Sequence, residues 1–219
     1  MATSGIGRRR AQARAEASQH YLERRSRLIA AAAEVFQARG FTDASLDEIA
    51  RAADIDRASV YYYVSGKREL FYAVVLEMLR KNALAAEQIA QSSATAGERI
   101  TELSRAIMQS YEEYYPSLFV FLQEDLERLT ASGWAGGEDL RALMARIDRA
   151  FVSVVKAGIA SGEFRPDLSP RVVVDALLGM INWSHRWFRP GAGPVGEEVG
   201  GQFASILREG ITRKPENSP

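Results

Sequence analysis

Apolar residues recur with helical periodicity along most of the chain. From Tyr21 onward they lie three or four positions apart, and no stretch sustains the alternation of apolar and polar residues that is typical of a strand. The clearest stripe belongs to residues 138–161, where the apolar positions are Leu140, Leu143, Ile147, Phe151 and Val154. This pattern predicts an all-α protein.

Capping residues and breaks divide the periodic segments into separate helices. Gly40 is a favourable residue for ending the first helix, because glycine adopts a left-handed conformation with little strain. Ser45 and Glu48 have the spacing of a capping box, and Asp56 is a good N-cap for the helix that follows it. Nine helices are predicted, over residues 22–39, 46–53, 57–63, 67–90, 96–114, 117–130, 138–161, 170–188 and 195–212.

The predicted helices form two groups, which suggests two domains. Three helices in residues 21–66 precede a bundle of longer helices in residues 67–212. Residues 1–20 carry several arginines and few apolar residues, so we expect a disordered basic arm. Residues 213–219 are polar and are expected to form a frayed tail.

Charge and composition narrow the function classes. The chain has no net charge, with 28 basic and 28 acidic residues, but residues 1–68 contain twelve Lys and Arg against eight Asp and Glu. This local excess favours a polyanionic partner for the first part of the chain. The absence of cysteine and the presence of only two histidines argue against disulfides and zinc sites, so we predict neither metal nor cofactor. No apolar run has the length of a membrane span, and a cytoplasmic location is expected.

Helices 46–53 and 57–63, joined by three residues, have the arrangement of a helix-turn-helix motif. The second helix of such a motif enters the major groove of DNA with its N-terminal residues foremost. Arg57 stands at that end and has the geometry to bind guanine O6 and N7 together. Ser59 is suited to a base edge or a phosphate. The alternative for Arg57 is an ordinary solvated surface charge.

Three consecutive tyrosines and two flanking residues complete the predicted DNA-binding set. Adjacent residues on a helix point about 100° apart, so Tyr61, Tyr62 and Tyr63 cannot all face the core. We interpret Tyr61 as mainly structural, although it remains a candidate contact, and Tyr62 and Tyr63 as facing DNA. Lys67 opens the next helix, where a cation is unfavourable for the helix dipole, which suggests a nearby anion such as phosphate. Ser45 is placed to bind phosphate as well.

A longer string of residues resembles a known family. Residues 27–75 read RLIAAAAEVFQARGFTDASLDEIARAADIDRASVYYYVSGKRELFYAVV, which resembles the N-terminal DNA-binding domain of TetR-family transcriptional regulators. The matching elements are A-A-x-x-V-F-x-x-x-G-F, S-L-x-x-I-A-x-x-A and S-V-Y-Y-Y-V-x-x-K-x-x-L. The resemblance implies a nine-helix fold and a homodimer that binds a pseudo-palindromic DNA operator, most often as a repressor. It also implies dimer contacts through residues 170–188 and 195–212.

Three aspartates depart from the family pattern. Asp54 replaces the usual glycine of the turn, and it should be accepted because aspartate tolerates a left-handed conformation better than most residues. Asp56 replaces the usual serine cap and is a sound substitute. Asp47 stands where a basic residue would help to bind phosphate, so it either weakens nonspecific affinity or shapes the operator sequence.

The larger domain of such regulators carries an effector pocket, and aromatic residues are the first candidates for its lining. We assign ligand-binding roles to Tyr111, Phe119 and Phe151, with ordinary core packing as the alternative. The string N-W-x-x-R-W-F-x-P-G from residue 182 looks like a C-terminal domain found in TetR regulators of lipid, steroid or aromatic-acid degradation. Several of those sense coenzyme A thioesters. We therefore also assign Trp183, Arg186 and Trp187, whose rings and guanidinium are suited to an acyl-CoA.

Other classes of protein fit less well. The sequence contains no nucleophile elbow, Walker loop, zincin motif or Rossmann fingerprint, so an enzyme is not expected. A DNA-binding regulator without an effector, whose large domain serves only dimerisation or a protein partner, stays open. The direction of regulation also stays open, as does the use of the arm from Arg8 to Arg14, which is either a DNA contact or a solubilising tail.

Overall fold

The computed structural model describes the backbone of residues 5–115, 117, 118, 122 and 137–212, and the side chains of these residues from residue 18 onward. Two compact units divide the chain, Met1–Val74 and Val75–Pro219. The described residues form eight α-helices and no strand, which confirms the all-α class. The helices are α1 (Gly5–Asp43), α2 (Leu46–Ala52), α3 (Arg57–Val60), α4 (Lys67–Gln91), α5 (Ala96–Glu113), α6 (Gly137–Ala160), α7 (Pro170–Trp183) and α8 (Gly196–Ile211).

Helix α1 is longer than the sequence pattern predicts. It begins at Gly5, so residues 5–20, which we expected to be a disordered arm, are helical. The physical reason is that this segment is rich in alanine, arginine and glutamine, which favour a helix even where no apolar face is present. Gly40 interrupts the helical path with a φ of 76°, so the left-handed conformation expected there is confirmed.

The first unit is built around an apolar core that α1 shares with the start of α4. Leu28 and Phe36 of α1 are fully buried, as is Leu70 of α4. The rings of Phe36, Phe41 and Phe71 form a cluster with centroid separations of 4.9–5.9 Å. Such ring contacts add to the area that the side chains bury, and they hold α4 against α1.

Both predicted caps of the helix-turn-helix motif are confirmed. The Ser45 hydroxyl accepts a hydrogen bond from the Glu48 backbone N–H, and the Glu48 carboxylate accepts one from the Ser45 backbone N–H. The Asp56 carboxylate accepts from the backbone N–H groups of Ala58 and Ser59. Asp54 has a φ of 54°, so it fills the left-handed turn position as expected.

Helix α3 is shorter than predicted. It ends at Val60 and the chain continues through Tyr63 as tight turns, because the backbone N–H groups of Tyr62 and Tyr63 donate three residues back, to Ser59 and Val60. Val60 and Val64, one helical repeat apart, are both buried. They anchor this segment to the core of the first unit.

The second unit has its closest helix contact between α5 and α8. Gly196 and Gly200 of α8 lie so close to α5 that a Cβ added to them would come within 2.3 Å of the Met108 carbonyl oxygen and 2.4 Å of the Ser104 carbonyl oxygen. The predicted apolar stripes of α5 and α6 are buried, as expected. Glycine therefore sets the distance at which these two helices pack.

Carboxylates hold the beginnings of α5 and α8. Glu163 accepts hydrogen bonds from the backbone N–H groups of Ala96 and Gly97, and Glu112 accepts one from Gly196. A carboxylate at a helix N-terminus satisfies backbone donors and matches the sign of the helix dipole. These contacts fix where both helices begin.

Helix α7 ends before the predicted boundary at residue 188. A short 3-10 turn over Ser184–Arg186 follows it, because the N–H groups of Trp187 and Phe188 both donate to the Ser184 carbonyl. The predicted helix 117–130 and the tail 213–219 lie almost wholly outside the described residues. No described helix combines the length and the apolar character that crossing a membrane requires.

Candidate functional sites

Arg57 lies at the start of α3 and is held by two neighbours. Its Nε forms an ion pair with the Asp47 carboxylate of α2. Its Nη2 donates to the Tyr61 hydroxyl at 3.0 Å, and its guanidinium carbon lies 4.7 Å from the Tyr61 ring centroid. The hydrogen bond to Tyr61 and, to a lesser extent, the one to Asp47 raise the pKa of Arg57. The guanidinium is therefore fixed at the end of the helix that faces outward.

The three tyrosines after α3 do not divide as predicted. Tyr61 is 56% exposed, so the interpretation of it as mainly structural is wrong. Val60 takes the core position, which leaves Tyr61 facing solvent beside Arg57. Tyr62 is 80% exposed and Tyr63 is half-buried, and the two rings are 6.0 Å apart. Tyr21 of α1 lies 5.2 Å from Tyr63 and extends this aromatic surface, a contact that periodicity did not indicate.

The flanking residues Lys67 and Ser45 already have partners within the first unit. The Lys67 ammonium donates to the carbonyl oxygens of Thr42 and Ala44, at 2.9 and 3.0 Å. Those carbonyls at the end of α1 explain why a cation is tolerated at the start of α4, so no external anion is needed for it. The Ser45 hydroxyl donates to the Glu48 carboxylate, and this interaction lowers the pKa of Glu48. Ser59 is half-buried on α3.

A cavity of about 410 Å³ lies among α4, α5, α6 and α7 of the second unit. Its wall is mainly apolar, with a few polar groups, which is the usual make-up of a small-molecule site. The described residues that line it are Met78, Leu79, Asn82, Ile107, Tyr111, Leu118, Leu122, Met144, Ala145, Ile147, Asp148, Leu178 and Asn182.

Polar groups meet at two places on this wall. The Tyr111 hydroxyl donates to the Asn182 side-chain oxygen at 2.6 Å, and burial raises the pKa of Tyr111, so the phenol is neutral. Asp148 is paired with Arg171 of α7 at 2.8 Å, which offsets the negative charge. The cavity wall thus offers neutral hydrogen-bonding groups within an apolar enclosure.

The predicted ligand-binding residues are not brought together at this cavity. Tyr111 lines it, whereas Phe151 is fully buried in the core of the second unit and is not part of the wall. Phe119 lies outside the described residues. Trp183, Arg186 and Trp187 are exposed, and the Arg186 guanidinium stacks at 4.4 Å over the Trp183 ring. Sequence reasoning also missed Asn82, whose signal is a polar residue within the apolar stripe of α4.

Helices α7 and α8 expose large apolar side chains. Val172 and Trp183 of α7 and Ile206 of α8 are each more than half exposed, and so is Trp187 after the 3-10 turn. Apolar side chains on two adjacent helices are typical of a protein interface. Among the described residues, no cluster of three or more His, Cys, Asp and Glu side chains has the arrangement of a metal site.

Comparison with known families agrees with the two units. Residues 28–74 match the family described as bacterial regulatory proteins, tetR family. Residues 93–211, more than half of the chain, match the tetracyclin repressor-like C-terminal domain. The chain belongs to the TetR family and is a DNA-binding transcriptional repressor rather than an enzyme.

Individual relatives extend the match over most of the chain. It is 28% identical to the transcriptional repressor KstR2 of Mycobacterium tuberculosis over 87% of this chain and 94% of that protein. The solved structure of that ketosteroid regulator superimposes with a TM-score of 0.70 over 87% of this chain and 96% of its own. A FadR regulator from Bacillus subtilis, solved in complex with stearoyl-CoA, is 18% identical, with a TM-score of 0.67 over 85% of this chain and 98% of that one, and shows the shared fold.

Proposed function

We propose that this protein is a homodimeric repressor that binds a pseudo-palindromic operator through α2 and α3 and is released by a small-molecule effector bound in the second unit. It acts in the cytoplasm, where the DNA is. The observation that carries the proposal is the outward-facing guanidinium of Arg57 at the start of α3, beside the exposed rings of Tyr61 and Tyr62.

At the DNA, each residue has a role that follows from its chemistry. Arg57 binds a guanine edge, and Ser59 binds a base edge or phosphate. Tyr62 and Tyr63 offer ring faces to thymine methyl groups and hydroxyls to phosphate oxygens, with Tyr61 beside them. Ser45 and Lys67 stand at helix N-termini, where backbone N–H groups also favour phosphate.

The experiment for DNA binding is selection of sites from a random duplex library, followed by fluorescence anisotropy at several salt concentrations. We expect an inverted repeat with a Kd in the nanomolar range, as is typical of specific DNA-binding proteins. R57A should relax the preference at one guanine in each half-site. The matched control R149A removes an exposed arginine of the second unit and should leave that preference intact. Recovery of no sequence above nonspecific affinity would contradict the proposal.

The effector site is the cavity that Tyr111 and Asn182 line. Its apolar wall suits an apolar body, and its neutral polar groups suit a carbonyl or hydroxyl oxygen of the ligand. An acyl-CoA fits this arrangement if the acyl chain enters the cavity while Arg186, on the surface after α7, binds phosphate. The ketosteroid regulator and the stearoyl-CoA complex among the similar proteins make both chemical classes reasonable probes.

The effector class is tested with a panel of ketosteroids, free fatty acids, fatty acyl-CoAs and coenzyme A alone. A true effector raises the Tm by mass action, by about 2.7 kcal/mol of apparent stability at a hundredfold excess over its Kd, and releases the operator. R186A should weaken only the acyl-CoAs, while N182A should weaken any ligand of the cavity. If no compound changes either the Tm or operator affinity, the alternative of a regulator without a small-molecule effector is favoured.

The dimer is proposed to form through α7 and α8. Their exposed apolar side chains, Val172 and Ile206 among them, support an interface that buries these residues in the assembled protein. A palindromic operator requires two recognition helices related by a twofold axis, so dimerisation and operator symmetry belong together.

A further inference from the structure

Asp47 is an acidic residue on the helix-turn-helix motif of a DNA-binding protein, and its carboxylate is paired with Arg57. It is the second residue of α2, and Arg57 is the first residue of α3. The ion pair therefore bridges the two helices of the motif at the N-terminal end of the recognition helix. Tyr61 holds the same guanidinium from the other side.

These contacts fix the orientation of the guanidinium. A free arginine side chain samples many rotamers, whereas Arg57 has its Nε bound to Asp47 and one Nη2 hydrogen bound to Tyr61. The remaining N–H groups include a pair on the two Nη atoms, and such a pair is the fork that binds guanine O6 and N7 together. The carboxylate thus occupies the edge of Arg57 that the base does not need.

Stability alone is a weak reason for this ion pair. The side chains of Asp47 and Arg57 are 66% and 39% exposed, and exposed pairs contribute little to the folded state because water screens them. A carboxylate on this surface also repels DNA phosphates. Its effect on nonspecific affinity is therefore unfavourable, and the compensating benefit has to lie in how Arg57 is presented.

We propose that Asp47 is a specificity-determining positioning residue, which holds Arg57 for one guanine of the operator and suppresses its binding to phosphate. The inference rests on the proposed role of Arg57 in reading a base. It predicts that removal of the Asp47 carboxylate separates affinity from specificity, because Arg57 becomes free to reach the DNA backbone.

The experiment compares wild type, D47N, D47A, R57A and the double variant D47A/R57A on the selected operator, on its single-base variants and on a random duplex. For D47N and D47A we expect about tenfold weaker discrimination at the guanine that Arg57 reads, within the range of one bidentate contact. Nonspecific affinity should rise, and the slope of log affinity against log salt should steepen by about 0.9, which corresponds to one added phosphate contact.

The double variant distinguishes positioning from a direct contact. If Asp47 acts through Arg57, D47A in the R57A background leaves base discrimination unchanged. An equal loss in both backgrounds would overturn the inference and would place Asp47 itself against a base. Unchanged discrimination in D47A with a clear loss in R57A would overturn the inference but leave the proposed role of Arg57 intact. If R57A has no effect on base preference, that proposed role fails, and this inference fails with it.

A matched control and a folding check complete the design. Asp43 is an exposed aspartate at the end of α1, so D43N removes the same charge from the same unit without touching the Asp47–Arg57 pair. D43N should keep the base preference of wild type. Circular dichroism and the Tm should be the same for wild type and D47N, since the exposed pair stabilises the fold little. An equal change of base preference in D43N would contradict a specific role for Asp47.

Discussion

At the scale of single residues, each polar side chain at the two candidate sites is held by an identifiable neighbour. Arg57 is bound by Asp47 and Tyr61, and Lys67 is bound by carbonyl oxygens at the end of α1. Tyr111 donates to Asn182 on the cavity wall. Such partners restrict rotamers before a ligand or DNA arrives, so less entropy is lost on binding.

Tyr111→Phe is expected to destabilise the second unit. The variant removes the hydroxyl that donates to Asn182 and leaves that carbonyl oxygen without this donor, which costs about 1 kcal/mol of unfolding free energy. Chemical denaturation measures the change. The matched control Y62F removes a hydroxyl from a highly exposed ring and should leave stability unchanged. Equal effects of the two variants would show that the Tyr111 contact contributes nothing.

At the scale of helices, close packing and ion pairs determine how the elements of the second unit meet. Gly196 and Gly200 allow α8 to contact the backbone of α5 directly. Arg146 of α6 binds Glu87 of α4 through two hydrogen bonds of 2.7 Å. Both contacts join helices distant in sequence, so both depend on the fold of the unit as a whole.

Gly200→Ala is expected to push α8 away from α5. Its new Cβ would lie 2.4 Å from the Ser104 carbonyl oxygen, and backbone cannot yield as a flexible side chain can. Overpacking of this kind costs about 1–3 kcal/mol, which exceeds the gain of about 0.5–1 kcal/mol from replacing glycine within a helix. Thermal unfolding should show a lower Tm.

The control for this variant is Gly210→Ala, in the same helix, where the added Cβ meets nothing within 4 Å. That substitution should leave the Tm unchanged or raise it slightly. A Tm for G200A at or above that of wild type would contradict the packing argument.

Glu87→Gln should reduce stability at neutral pH but not in acid. The Arg146 guanidinium lowers the pKa of Glu87 from its ordinary value of 4.5. The ion pair therefore stabilises the fold fully above that value, and its contribution is lost as the pH falls through the lowered pKa. Urea unfolding of both proteins at about pH 7 and about pH 3 measures the difference, which should close in acid. A gap of the same size at both pH values would exclude this ionisation as its cause.

At the scale of the whole molecule, DNA binding and effector binding belong to different units of one chain. The first unit carries the helix-turn-helix motif, and the second carries the cavity together with the exposed apolar residues of α7 and α8. For an effector to release the operator, it has to bind one state of the dimer more tightly than the other, by about 1–3 kcal/mol of coupling. The proposed interface is where two copies would share that change.

Ile206→Glu is expected to convert the dimer to a monomer. Ile206 is 63% exposed on α8, and a buried unpaired carboxylate at an interface is strongly unfavourable. Sedimentation equilibrium should show the monomer mass, and operator affinity should fall by at least about a hundredfold because one half-site binds alone. Leu84→Glu, an equally exposed position on α4, is the control and should remain dimeric. A dimeric I206E protein would place the interface elsewhere.

Much of the first unit could be predicted from the sequence because its signals are local. Caps at Ser45 and Asp56 and the turn at Asp54 each depend on residues only a few positions apart, and all three are as predicted. The cavity could not be predicted in this way. Tyr111 and Phe151 have the same helical spacing pattern, yet one lines the cavity and the other fills the core.

The sequence by itself determined the helical class, the helix-turn-helix motif and the family, because periodicity, caps and a contiguous motif are properties of neighbouring residues. Only the tertiary structure decided which groups meet across long distances in the chain. It paired Asp47 with Arg57, gave Lys67 carbonyl partners, turned Tyr61 to solvent and set Asn182 against Tyr111. The physical reason is that such contacts depend on how helices pack, and packing geometry is determined by all the elements of a unit together.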